Sequence, residues 1–83
     1  MEKQIGHITH YFGKISVAAI DLGGELKIGD TIHVQGHTTD FTQTVKSMQV
    51  EHEEVETATP GMDVAIKVEK KVRKGDTVLK VEE

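Results

Sequence analysis

Apolar residues recur at every second position along most of this 83-residue chain. Ile15, Val17 and Ala19 alternate with Ser16, Ala18 and Ile20. Ile32 and Val34 alternate with Thr31, His33 and Gln35, and Val64, Ile66 and Val68 with Asp63, Ala65 and Lys67. A period of two places one set of side chains on one face of a pleated strand and the rest on the other. Ile5, Ile8 and Phe12 open the chain among His, Thr and Tyr, while Val78, Leu79 and Val81 close it. Phe41, Val45, Met48 and Val50 predict one longer strand with a bend or bulge, because the apolar spacing slips between Val45 and Met48. Residues 50–58 are the best helical window, yet their β-branched content and the following Pro60-Gly61 favour strand or turn. Gly13, Gly23-Gly24, Gly29-Asp30, Gly36, Pro60-Gly61 and Gly75-Asp76 separate the runs. The expected fold is all-β: one small closed β-barrel of six or seven antiparallel strands spanning residues 1–83. Closure is expected because a barrel leaves no sheet edge to protect.

Composition narrows the core. The chain has no cysteine and no tryptophan, with two Phe and one Tyr, so its interior must be built from Val, Ile, Leu, Ala and Met. Disulfides, cysteine-based zinc sites and a thiol nucleophile are excluded. A chain of this length has room for one domain and none for a nucleotide-binding domain beside it.

One segment occurs twice. Leu26-Lys27-Ile28-Gly29-Asp30-Thr31-Ile32 and Val72-Arg73-Lys74-Gly75-Asp76-Thr77-Val78 share an apolar residue, a base, Gly-Asp-Thr and a second apolar residue. The physical reading is a corner. Gly takes the left-handed conformation, Asp and Thr bond to the local backbone, and a strand leaves at once.

These corners, with residues 44–50, the Pro60–Val68 stretch and residues 72–79, resemble in order and spacing the second-domain barrel of translation elongation factors of the Tu and 1A type. The segments 10–12 and 37–43 resemble small free-standing elongation factor-like proteins. The resemblance implies a barrel that helps hold the aminoacylated end of tRNA, with Gln49 at a position where those factors carry an acid. It does not carry GTP chemistry across, because the chain has no G-x-x-x-x-G-K-[ST] loop; neither GTP binding nor hydrolysis is expected. A related barrel is found at the end of collagenase-like peptidases, which makes an accessory role beside such an enzyme the alternative.

Charge and side-chain chemistry add a few candidates. Fourteen acids against ten bases give a net charge of −4, unlike a general DNA-binding protein. No apolar run has the length of a membrane helix and no hydrophobic signal segment follows the start, so a soluble cytoplasmic chain is expected. Lys67, Lys70, Lys71, Arg73 and Lys74 fall within eight positions and form the candidate contact for RNA phosphate or an acidic protein, joined by Gln49 and by Tyr11 as a stacking ring. The bland alternative is a lysine-guarded sheet edge. His33, His37 and Asp40 could contribute to a zinc site, which would make the chain a small metal-dependent enzyme. His7 and His10 stand three apart and, on a regular strand, point to opposite faces. Glu51, Glu53, Glu54 and Glu56 read as a solvated edge rather than a catalytic carboxylate pair. The resulting expectation is a non-catalytic binding module with no cofactor and no metal, docking on a protein or RNA partner that is linked to the ribosome, to tRNA or to a peptidase-like enzyme.

Overall fold

Each alternating run contributes a strand, although Ile15 and Ser16 fall in a turn before the second and Val68 lies past the end of another. The computed structural model describes residues 2–81. They form β1 (Glu2–Phe12), β2 (Val17–Leu22), β3 (Leu26–Lys27), β4 (Thr31–Gln35), β5 (Asp40–Thr44), β6 (Met48–Val50), β7 (Glu53–Glu54), β8 (Thr57–Ala58), β9 (Asp63–Lys67) and β10 (Thr77–Val81). There is no helix among the described residues, and every strand pair is antiparallel. Eight strands make one sheet in the order β5-β4-β10-β1-β2-β9-β6-β7, and β3 pairs with β8 in a separate ribbon. The end strands β5 and β7 share no ladder, so the expected hydrogen-bonded closure into a barrel is not present among the described residues. The inward faces still converge on one core. Ile5, Ile8, Ile20, Leu26, Ile32, Met48, Ile66 and Val78 are fully buried in it. Truncating any of the large aliphatic residues there to Ala costs about 2–5 kcal/mol.

β1 is the longest strand because two bulges bend it between its neighbours. Its register slips at Ile5 against β10 and at Thr9 against β2. The second slip reverses an expectation. His7 lies opposite Asp21 and His10 opposite Ala19, and Asp21 and Ala19 share a face; the extra residue therefore brings both histidines to the outer face. Past the bulge Tyr11 packs against the core, while Phe12 turns out, its ring centroid 4.3 Å from that of His10.

The predicted long strand over residues 41–50 is two strands. Val45 leaves the ladder because the first Gly-Asp-Thr corner claims its backbone: its N–H donates to the Asp30 carbonyl and its carbonyl accepts from the Gly29 N–H, both at 2.8 Å. The helical window holds the β6–β7 hairpin instead. Its two-residue turn puts Glu51 and His52 at φ 53° and 67°, as a primed hairpin turn requires.

Both corners have the predicted glycine and aspartate geometry, but among the described residues neither the Thr31 nor the Thr77 hydroxyl bonds to the local backbone. Gly29 and Gly75 have φ of 97° and 95°, which favours glycine. Asp30 accepts from the Lys27 N–H and Asp76 from the Arg73 N–H, each at 2.9 Å. The second corner grips Ile8 as the first grips Val45: Gly75 donates to the Ile8 carbonyl and Ile8 to that of Asp76. The same geometry occurs a third time at Thr59-Pro60-Gly61-Met62. Gly61, at φ 90°, donates to Leu22, which donates back to Met62. Here Met62 stands where the other corners have Asp.

Candidate functional site

The basic segment is the first candidate, and the core sets its shape. Val68 and Val72 are buried, so the chain between β9 and β10 is stitched to the interior at two points. Lys67, Lys70, Lys71, Arg73 and Lys74 are exposed around those stitches. None forms an ion pair within the described residues. Lys67 lies opposite Val17, which lies opposite Phe12, so Phe12 and Lys67 share one row of the sheet.

Gln49 and Tyr11 do not join that patch. Gln49 is exposed on β6 opposite Ala65, and the order β1-β2-β9-β6 puts two strands between it and Tyr11, a separation of about 14 Å at the usual strand spacing. Tyr11 also points toward the core rather than toward a ligand. The exposed aromatic ring next to the basic patch is Phe12, not the Tyr11 that the sequence offered.

The sequence missed a groove at the β9 exit. Gln43 on β5 is buried, its amide donating to the Lys67 carbonyl at 2.9 Å and accepting from the Glu69 N–H at 2.8 Å. Val68 donates to the carbonyl of Ser16, which is itself at φ 55°. These bonds hold β5, the β1–β2 turn and the β9 exit around a groove of about 360 Å³ that Lys46 and Lys67 both line. A glutamine in a period-two strand looks like a surface residue; only its inward register reveals a clamp.

His33 meets Asp40 but not in a zinc site. Its side chain is 15% exposed, with Nδ1 at 2.9 and 3.1 Å from the two carboxylate oxygens of Glu2 and Nε2 bonded to Asp40. Donation from both ring nitrogens to the two carboxylates favours the protonated imidazole. Asp40 first and Glu2 second raise its pKa above the ordinary histidine value, against a smaller opposing effect of burial. In that form both ring nitrogens are engaged with carboxylates, and neither lone pair is free for a metal ion. His37 is exposed and takes no part. Among the described residues no group of three or more His, Asp or Glu side chains is placed to hold a metal ion. The trio is a clasp joining β1, β4 and β5. Its Glu2 arm was invisible in a sequence separated from His33 by 31 positions.

The acidic run is exposed throughout, at Glu51, Glu53, Glu54 and Glu56. His7 approaches Asp21 at 3.9 Å with both side chains half exposed, a weak surface pair.

Comparison with known proteins decides between the two resemblances. The chain is 44% identical over 81 residues to an uncharacterized protease of Methanocaldococcus jannaschii, and 39% identical over 74 residues to a collagenase of Porphyromonas gingivalis. Those matches cover 96% and 87% of this chain. Among solved structures, the C-terminal domain of a Geobacillus thermoleovorans chain named a U32 peptidase superposes with a TM-score of 0.90, at 20% identity over 96% of this chain and 93% of that one. The chain has the fold of that C-terminal domain. No family model matches the sequence. The chain spans about a fifth of the length of the curated relatives it matches. The resemblance to translation elongation factors is thereby corrected. The corner motifs that suggested it are local turn chemistry, a left-handed glycine and an aspartate bonded to the backbone, and the relatives are named as proteases and collagenases. No helix among the described residues is long and apolar enough to cross a membrane.

Proposed function

We propose that this chain is a non-catalytic accessory domain of a collagenase-like peptidase, working by docking. The observation that carries this reading is the 44% identity over nearly the whole chain to one fifth of a protease, with a C-terminal peptidase domain as structural neighbour. Residue chemistry supports it. The histidine with the most perturbed environment has both nitrogens committed to carboxylates, and the clustered acids are solvated. Residues 1–83 act as one domain in this reading. In this reading the sheet curls into a barrel that is not closed by a strand ladder, and the Gln43 bonds from β5 to the β9 exit help to hold its two ends together. A cytoplasmic location belongs to the same proposal.

The test uses two arms. Pure chain is incubated with gelatin and with short peptides, and no cleavage is expected. The M. jannaschii relative is then compared intact and without the matching fifth, with this chain added back in trans. Weakened substrate capture on removal, restored by the added chain, is the expected result. Peptide-bond hydrolysis by the chain alone would sink the proposal, as would a truncated relative that behaves like the intact one.

A further inference from the structure

We infer that the groove at the β9 exit binds an extended acidic peptide segment, with Lys46 and Lys67 each taking one carboxylate. The groove holds about 360 Å³, within the size range of small-ligand pockets. It is preformed. Gln43 spends both ends of its amide on the backbone of Lys67 and Glu69, and the Val68–Ser16 bond closes the third side. A ligand therefore pays little to order the walls. Two lysines line the site, and neither has an ion-pair partner among the described residues. Ser16, Thr44 and Ser47, each carrying a hydroxyl, belong to the same lining. Glu69 is the one carboxylate in it, and Lys46 also borders a neighbouring groove that contains Glu54 and Glu56.

Those acids decide the class of anion. A polynucleotide that followed the basic segment and overran the groove would meet the exposed Glu51–Glu56 run on a chain of net charge −4. A short peptide ends before that repulsion begins. Two cations call for two carboxylates, which acidic side chains supply and a lone chain terminus does not. Ile15, 61% exposed in the turn next to Ser16, offers an apolar contact beside the charges. The matching sequence is a pair of Asp or Glu residues flanked by an aliphatic side chain.

The experiment is fluorescence polarisation of a labelled peptide containing Leu-Glu-Glu-Leu against the full chain at low salt. Saturable binding is expected, weakening with added salt. The Lys46→Glu/Lys67→Glu double variant should lose about tenfold or more in affinity. The Lys70→Glu/Lys71→Glu/Arg73→Glu variant should bind like the parent. Both variants change exposed side chains, and unchanged melting curves confirm their folds. Flat titration, equal binding of the Leu-Gln-Gln-Leu peptide, or tighter binding of single-stranded RNA that the triple variant abolishes would each overturn the inference. It stands apart from the accessory role: peptide binding without any effect on a peptidase would remove that role and keep this site, and the reverse result would do the opposite.

Discussion

The two Gly-Asp-Thr corners have the same sequence pattern and the same hydrogen bonds, yet they sit in different surroundings. Asp30 has a side chain 24% exposed, with Lys80 Nζ 3.4 Å away. Asp76 is 6% exposed and lies under Gly36 so closely that a Cβ there would overlap its carboxylate. One local motif thus does two jobs. The first corner is a turn at the rim, whose acid can exchange its partners for water. The second is a turn whose acid is part of the packed interior, where an unsatisfied donor has no such recourse.

The largest expected effect tests that contrast directly. Asp76→Ala strands the Arg73 N–H and opens space beneath Gly36, for an expected loss of about 2–3 kcal/mol in unfolding free energy. Asp30→Ala should lose about 1 kcal/mol or less, since the Lys27 N–H is exposed and a partly exposed ion pair contributes little. Urea melts of the two variants supply the comparison, and equal losses would show that burial does not separate the corners. Next in size, Gly36→Ala forces the Asp76 carboxylate aside, at about 1–3 kcal/mol. Combined with Asp76→Ala the penalty should largely vanish, because the added methyl then fills vacated space. Additive losses in that double-mutant cycle would break the proposed contact.

The contrast also marks what the sequence could reveal. Corners and most strand faces depend on neighbours two or three positions away, so alternation and Gly-Asp-Thr were enough to find them; β2 is the exception, burying Ala18, Ile20 and Leu22 and not the Ile15, Val17 and Ala19 set. The burial of Asp76 depends on Gly36, forty positions earlier, and the histidine clasp on Glu2 lying across a strand from His33. Neither dependence leaves a local trace. Strand breaks fall between these cases: Val45 reads as a strand residue until the corner that takes its backbone is known. The groove was missed for the same reason, since Gln43, Lys46, Lys67 and Ser16 come together only through the order of the sheet. The mistaken family resemblance arose in the legible part, because a Gly-Asp-Thr corner specifies a turn and not a family.

A pH series sharpens the corner comparison by isolating a third polar contact. The folded-state pKa of His33 lies above its unfolded value, so the native state binds its proton more tightly. The stabilisation is fully present below the ordinary histidine pKa and is lost as pH rises through the raised one. Parent protein should therefore melt lower on going from about pH 6 to about pH 8, and His33→Gln should flatten that dependence. The Asp76–Asp30 difference should survive at both ends of the series. If it collapses on the alkaline side, the clasp and the second corner form one coupled network rather than two.

The smallest effect concerns the corner that has lost its acid. The turn at residues 59–62 repeats the left-handed glycine and the two-way grip on a strand residue, here Leu22, without a side chain to accept the Thr59 N–H. That it forms with Met62 in place shows that glycine and the grip suffice for the shape; the aspartate adds stability to a turn already made. Met62→Asp should therefore supply the missing acceptor and gain about 0.5 kcal/mol, while removing an exposed apolar side chain. It should resemble Asp30 in its exposed setting and not Asp76 in its buried one. A thermal melt resolves the sign. A loss would mean that the third corner follows different geometry from the other two, or that Met62 is used by a partner that the isolated chain lacks; protection of Met62 from peroxide in the presence of the add-back partner separates those outcomes.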